Sequence, residues 1–502
     1  MIELLTPEEM AKADQLTIDA GTTGYDLMEV AGQGVADLLA NLFSPDNRIL
    51  VLAGPGNNGG DGFVAARLLH QRGYRLRIAL LGEPGALKGD AQKAFADLEG
   101  RNIPIVPLNS DLIDDADVVV DALFGAGLIR DIQGVVAEII EKTNASKKPL
   151  IAVDLPSGVN GATGQVQGAA FQASATVTFF RRKPGHLLFP GRELCGPVKV
   201  VDIGIQTGVL DEIRPATFKN GARLWERRFP VPGEGGHKYD RGHAVVFSGP
   251  IVSTGAARLC AGAALRSGAG LVTLASPPAA ITVNATHLTS VMLKSVRDVP
   301  AAKELLSDKR FNAVALGPGF GIGEKTRDYV SCIQGSARAV ILDADALTSF
   351  ADHGTDLFEM IKSGSSGDTV LTPHEGEFSR LFLKIDATRC KLDRARMAAQ
   401  LSGAIIVLKG ADTVIASPDG RAAINDNAPP WLATAGSGDV LSGIICGMMA
   451  QSVPAFDAAC MGVWMHGAAA QRVGPGLVSE DLSPNLRHVI KDLVTDFQNK
   501  FQ

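Results

Sequence analysis

Apolar residues along this chain fall into two alternating patterns. Short aliphatic runs such as Ile49-Leu50-Val51-Leu52-Ala53 read as buried strands, and the stretches between them carry apolar residues at helical spacing. Thr6-Pro7-Glu8-Glu9 has the form of a capping box with proline at the first helical position, opening a helix through Met10, Ala13 and Leu16. A second helix is predicted from about Tyr25 to Leu42, with Leu27, Met28, Val30, Ala31, Val35, Leu38 and Leu39 on one side. The strand from Arg48 to Ala53 runs into the glycine-rich turn Gly54 to Gly62 and then a helix beginning at Phe63. RLRIALLG, a helix near Gly89 to Glu99, NIPIVPL, the strand from Ala116 to Asp121 and PLIAVDLPSGVNG continue the alternation, and Ala175 to Ile205 reads as short edge strands. Strands alternating with helices predict a parallel sheet covered on both faces, an α/β fold.

From about Gln206 to Gly236 prolines, glycines and charges mix without periodicity, and the alternation restarts at His237. The expected domains are 1–215 and 237–502, joined by a linker at 216–236. The second half opens with a small-residue helix after Ser253 and continues through FNAVALGPGFGIG, AVILDADALTSF, DTVLTPHEGEFSRL and AIIVLKGADTVIASPDG, each pairing a strand with a loop.

Composition supports two cores. The chain has 502 residues, 46% hydrophobic and 20% charged, which is long for one core and apolar enough for two. Aromatics at 5% against 56 glycines suit tight strand-to-helix turns. With net charge −6 and no basic run longer than Arg181-Arg182-Lys183, the sequence argues against nucleic-acid or membrane partners. That run reads as solvated, with Lys183 within reach of a substrate phosphate. The six cysteines form no CxxC pair and read as buried thiols in a reducing compartment. The acidic, amphipathic N-terminus lacks the pattern of a secretory signal, so a cytoplasmic protein is expected. His70, His287, His353 and His488 read as surface or helix residues, and Met448, Met449, Met461 and Met465 as core.

Two stretches carry chemistry. Thr434-Ala435-Gly436-Ser437-Gly438-Asp439 leads into VLSGIICGMMA. Glycines on either side of Ser437 let the backbone turn tightly and aim several N–H groups at one point, with a helix N-terminus behind them. Asp439 stands in that anion hole, suited to take a proton from a hydroxyl held beside a phosphate chain. In the first half, the spacing of GPGNNGGDG matches neither a dinucleotide fingerprint nor a P-loop. Its asparagines and aspartate offer oxygens to a cation, and its backbone offers N–H groups to a phosphate. Three successive strands end in polar turns. Asn58, Asp121, Asp154 and Ser157 thereby converge on one sheet edge, where together they suit a monovalent or divalent cation; singly, each reads as a helix cap.

With HKYDRGH, GAGLVT, GPGFG, LDADAL, TPHEGEF, LKGADTVI and NAPPWLATAGSGDVLSG, the second half resembles the ribokinase-like dehydratases of nicotinamide-nucleotide repair. With LMEVAG, GPGNNGGDGFVAARLL, DALFGAGLIRDI and DLPSGV, the first half resembles their epimerase partner. The order is that of the fused bacterial enzymes. The resemblance implies a Rossmann-like three-layer αβα domain followed by a ribokinase-like αβα domain. The first would interconvert the epimers of NAD(P)H hydrated at carbon 6 of the ring. The second would expel the water from the S form using ADP, with AMP and phosphate as co-products. By matching positions, Asn57, Asn58, Gly59, Gly60 and Asp61, together with Gly125, Ala126, Gly127, Leu128, Ile129, Arg130 and Asp131, would bind the hydrate in the first domain. Asp154 would be its catalytic contact and Asn58, Asp121 and Ser157 its potassium ligands. In the second, Ala256, Gly319 or Gly321, His374 and Asp439 would line the hydrate site. Lys409, Gly410, Ala411, Asp412 and Thr413, with Pro429 to Gly438, would hold ADP, Thr434, Ala435, Gly436, Ser437 and Gly438 forming its turn. A magnesium ion and a homo-oligomeric assembly complete the expectation. Arg130 is the candidate for a pyrophosphate or for developing charge.

Two rivals stand beside this reading. The glycine-turn aspartate serves small-alcohol kinases equally, and the first half is also the kind of fold used as a noncatalytic binding or dimerisation module.

Overall fold

The computed structural model describes residues 2–233, 235–364 and 368–501. The chain divides after Thr217 into two units.

The first unit is built on seven parallel strands: β1 (Arg48–Ala53), β2 (Arg75–Leu80), β3 (Ile105–Pro107), β4 (Val118–Ala122), β5 (Leu150–Val153), β6 (Ala175–Phe179) and β7 (Val198–Val201). Their order, β3-β2-β1-β4-β5-β6-β7, reverses between β1 and β4, and in such sheets ligands bind at the carboxyl ends of the strands beside that reversal. The close approach of the two turns there explains the glycines. A β-carbon on Gly54 would collide with the Leu123 carbonyl, and one on Gly59 with the carbonyl of Gly54. The expected helix start at Phe63 is corrected: the helix runs Asn57–Gln71, with Gly56 at its N-cap, so NNGGDG forms its first turns. The segment expected as edge strands is corrected as well, because β6 lies between β5 and β7 and only β7 is at the edge. The predicted capping box of Thr6 with Glu9 opens Pro7–Asp19, and a second, unforeseen one of Thr23 with Asp26 opens Gly24–Leu42.

The expected linker 216–236 is also corrected. It supplies β8 (Thr217–Lys219) to the edge of the second sheet and buries Trp225 among the rings of Phe229, Trp464 and Phe497; Glu234 lies outside the described residues. An aromatic with this much apolar surface is driven inward whatever the polarity of its neighbours.

The second sheet continues with β9 (His243–Phe247), β10 (Leu271–Ser276), β11 (Met292–Ser295), β12 (Ala313–Leu316), β13 (Ala339–Leu342), β14 (Thr369–Leu371), β15 (Ile405–Leu408), β16 (Val414–Ala416) and β17 (Ala422–Ile424). Its order is β11-β10-β9-β12-β13-β14-β15-β16-β17-β8, parallel from β11 to β15, with β16 and β17 antiparallel. Here the reversal falls between β9 and β12, and again backbones meet: a β-carbon on Gly249 would collide with the Gly319 carbonyl. The helix Ser437–Ala450 crosses this core against Thr254–Arg266, with Gly443 pressed on the Cys260 carbonyl. The glycines of VLSGIICGMMA are therefore packing positions. No helix is long and apolar enough to cross a membrane, among the described residues.

Candidate active sites

In the first unit a cavity of about 450 Å³ opens at the reversal point, walled by Asn57, Asn58, Asp61, Gly125, Ala126, Gly127 and Asp154 among the expected residues. Gly59 and Gly60 lie in the helix behind them, Gly60 against Met28. Leu128 is buried in the core, while Ile129, Arg130 and Asp131 face solvent and are not part of the wall.

Asp154 ends β5 with a φ of 65°, a left-handed turn that aims its carboxylate back across the sheet edge. One oxygen accepts from Lys183 Nζ at 2.6 Å and from the Thr178 hydroxyl at 2.9 Å; the other accepts the Ala126 N–H at 3.0 Å. Burial pushes this carboxyl up, but the Lys183 ammonium outweighs it and holds the group below the usual carboxylate range. The reading of Lys183 as solvated is corrected: its side chain is 2% exposed, because the chain leaving β6 turns it into the crevice. Arg181 is likewise buried, bonded to Glu3.

Asp121 and Ser157 come together, though not on the cavity wall. Asp121 is fully buried and accepts the Ser157 N–H and hydroxyl, both at 2.6 Å, and the Leu123 N–H at 3.2 Å. Burial pushes its pKa to about 6 against those hydrogen bonds, with no cationic side chain helping. Asn58 approaches Gly125 beside Asp154, and its buried side-chain nitrogen has no partner among the described residues.

Sequence reasoning passed over Asp14 and Asp90, which also line the cavity. Asp14 was findable: four residues after Met10 in Pro7–Asp19, it is a charge on the face that helix buries.

In the second unit Asp439 occupies the first turn of Ser437–Ala450, behind Gly436 at φ 84°. The first-turn N–H groups of a helix have no intrahelical acceptor, so this end is open to an anion. Burial, then the neighbouring Asp343 carboxylate, push Asp439 to about 7 against the pull of Lys409. Lys409 is the hub of the cluster. Its ammonium lies 2.9 Å from Asp343 and 3.8 Å from Glu377, and beside Gly438, while Asp343 also accepts the Ser442 hydroxyl at 2.6 Å. Asp343, Glu377 and Ser442 were not foreseen as site residues, although Asp343 stands at the end of β13 as Asp154 stands at the end of β5.

His374 caps Glu375–Leu381, its ring accepting the Gly376 N–H at 3.0 Å. Gly319 lies against Ser253 and Ala256, whereas the Gly321 N–H donates to Asp345. Lys409 to Thr413 form a closed turn, with Thr413 Oγ1 donating to the Gly410 carbonyl at 2.8 Å and Asp412 paired to Lys391 at 2.7 Å. Ala435 accepts the Ser479 hydroxyl at 2.5 Å, and Thr434 accepts the Ser437 N–H.

Known proteins match both units. A family described as NAD(P)H-hydrate dehydratase matches residues 244–488, and one described as YjeF-related protein N-terminus matches 24–185. The chain is 36% identical over 497 residues to the bifunctional NAD(P)H-hydrate repair enzyme Nnr of Thermofilum pendens, covering 94% of this chain and 93% of that protein. The Escherichia coli protein of the same name is 32% identical over 494 residues, covering 95% and 91%. Among solved structures, an ADP/ATP-dependent NAD(P)H-hydrate dehydratase from Bacillus subtilis co-crystallised with ATP and Mg2+ is 27% identical. It covers 55% of this chain and 98% of that one, with a TM-score of 0.47.

Proposed function

From the premise that this chain belongs to the family of bifunctional NAD(P)H-hydrate repair enzymes, we infer how its own residues divide the work. The first unit interconverts the two epimers of hydrated NAD(P)H, and the second dehydrates the S epimer with ADP. The rival pairing of a small-alcohol kinase with a binding module gives way to relatives that carry the repair name over nearly the whole chain.

The observation that carries the residue assignment is Asp439 at an open helix N-terminus with its pKa raised to about 7. Hydroxide leaves carbon poorly and phosphate leaves well. Asp439 takes the proton of the substrate hydroxyl as its oxygen attacks the terminal phosphorus of ADP, releasing AMP. The N–H groups of the glycine turn hold the charge that develops. Phosphate then departs with its bonding electrons, and a proton is lost from the adjacent ring carbon, which restores the dihydropyridine. A magnesium ion would enter with the nucleotide phosphates, whose oxygens suit it.

In the first unit, potassium fits the residues present. Asp121 is a buried carboxylate that accepts from neutral donors, and among the described residues the Asn58 side-chain nitrogen has no partner, which leaves the amide free to turn its oxygen toward a cation. Asp121, Ser157 and Asn58 would hold the ion, which would offset the buried negative charge. The Asp154–Lys183 pair orients the substrate in the cavity.

The test is incubation of the full chain with racemic hydrate, with and without ADP. Recovery of the reduced-nicotinamide absorbance from both epimers only when ADP is present is the expected result. A stable phosphorylated product, or no epimer exchange, overturns the reading.

A further inference from the structure

The cavity wall of the first unit carries several carboxyls and one ammonium, and they are not equivalent. Asp154 already accepts three hydrogen bonds and is locked to Lys183. Asp61 is buried in the helix Asn57–Gln71. Asp14 is different: half-buried on the wall, its carboxyl has no hydrogen bond or ion pair among the described residues. Its free lone pairs face the same space a ring would fill.

We propose that Asp14 is the catalytic residue that moves the proton in epimerisation, and that the Asp154–Lys183 pair positions the substrate. The inference rests on the epimerase reading of this unit. Burial, opposed by Lys183 and aided by Asp154, raises the Asp14 pKa to about 6, so the group exchanges protons near neutrality. The charged groups facing it are Lys183 beyond β6 and Asp154 at the end of β5; Asp61, whose burial favours its neutral form, and Asp90 share the wall.

The hydroxyl of the hydrate sits on a carbon bonded to the ring nitrogen. Ionised Asp14 takes the hydroxyl proton, the oxygen forms a carbonyl with that carbon, and the carbon–nitrogen bond breaks with its electrons going to nitrogen. Asp14 then gives the same proton to the nitrogen. The aldehyde turns about its bond to the neighbouring carbon and closes on its other face by the reverse steps. No water, oxidant or second acid is consumed, which is why one partner-free carboxyl suffices.

The experiment follows epimer exchange by chromatography in the full chain without ADP, as wild type, Asp14→Asn and Asp14→Glu, across about pH 5 to 8. The expected result is a roughly 10²- to 10⁴-fold loss in Asp14→Asn, partial recovery in Asp14→Glu, and a low-pH decline in wild type that Asp14→Asn lacks. ADP-dependent dehydration of the S epimer should stay at the wild-type rate in both. Asp14→Asn within threefold of wild type, or with the wild-type decline intact, overturns the assignment of Asp14 alone. A wild type that exchanges no epimers overturns the epimerase reading, and this assignment with it.

Discussion

The Lys183 ammonium lies 2.6 Å from the Asp154 carboxylate, and the two side chains are only 2% and 15% exposed. Breaking such a pair from one side strands a buried charge. Lys183→Met should cost the first unit about 3 kcal/mol near neutral pH. The native Asp154 pKa is depressed, so its contribution is present above the unfolded value of roughly 3.9 and lost as pH falls. In the variant burial is opposed only by the neutral Thr178 and Ala126 donors, so the pKa should rise past the unfolded value and stability should instead decline as pH rises. Urea midpoints at about pH 5 and pH 8 read the reversed slope.

Asp439→Asn should lower ADP-dependent dehydration by about two to four powers of ten and leave epimer exchange untouched. Absorbance of the reduced nicotinamide measures the first and chromatography the second. Dehydration at the wild-type rate would remove Asp439 from the chemistry.

Asp343→Asn should shift the pH profile of dehydration. As a base, Asp439 must be ionised, so activity falls as pH drops through its pKa of about 7. Removing the Asp343 charge favours the ionised form, and the decline should move down by roughly one pH unit. A midpoint that stays put or rises contradicts the cluster described here.

Potassium should raise the unfolding temperature of the first unit. An ion bound only by the native state stabilises by about 2.7 kcal/mol at a hundred times its dissociation constant. The increment should vanish in Asp121→Asn, with the second unit's transition unmoved. Calorimetry in potassium and in tetramethylammonium salts makes the comparison.

Sequence periodicity located most strands and helices because buried parallel strands are short and uniformly apolar, as in β1, β4 and β5. The Asp439 turn was legible because glycine spacing and a following helix are local facts. Pairings between distant segments were not. Lys183 looked like one of three solvated cations until β6 placed it against Asp154, and Lys409 gave no local sign of Asp343 or Glu377. The helix beginning at Asn57 was hidden because three glycines in its first turns have low helical propensity, which close packing on Gly54 and Met28 overrides.

Trp225 and β8 bear on how the two activities can be taken apart. A second half started at His237, where the sequence pattern resumes, would lack an outer strand and leave the rings of Trp464 and Phe497 uncovered. Such a fragment would expose sticky apolar surface and tend to precipitate. A cut just before Phe218 keeps that cover, and is the place to divide the gene when each catalyst is wanted alone.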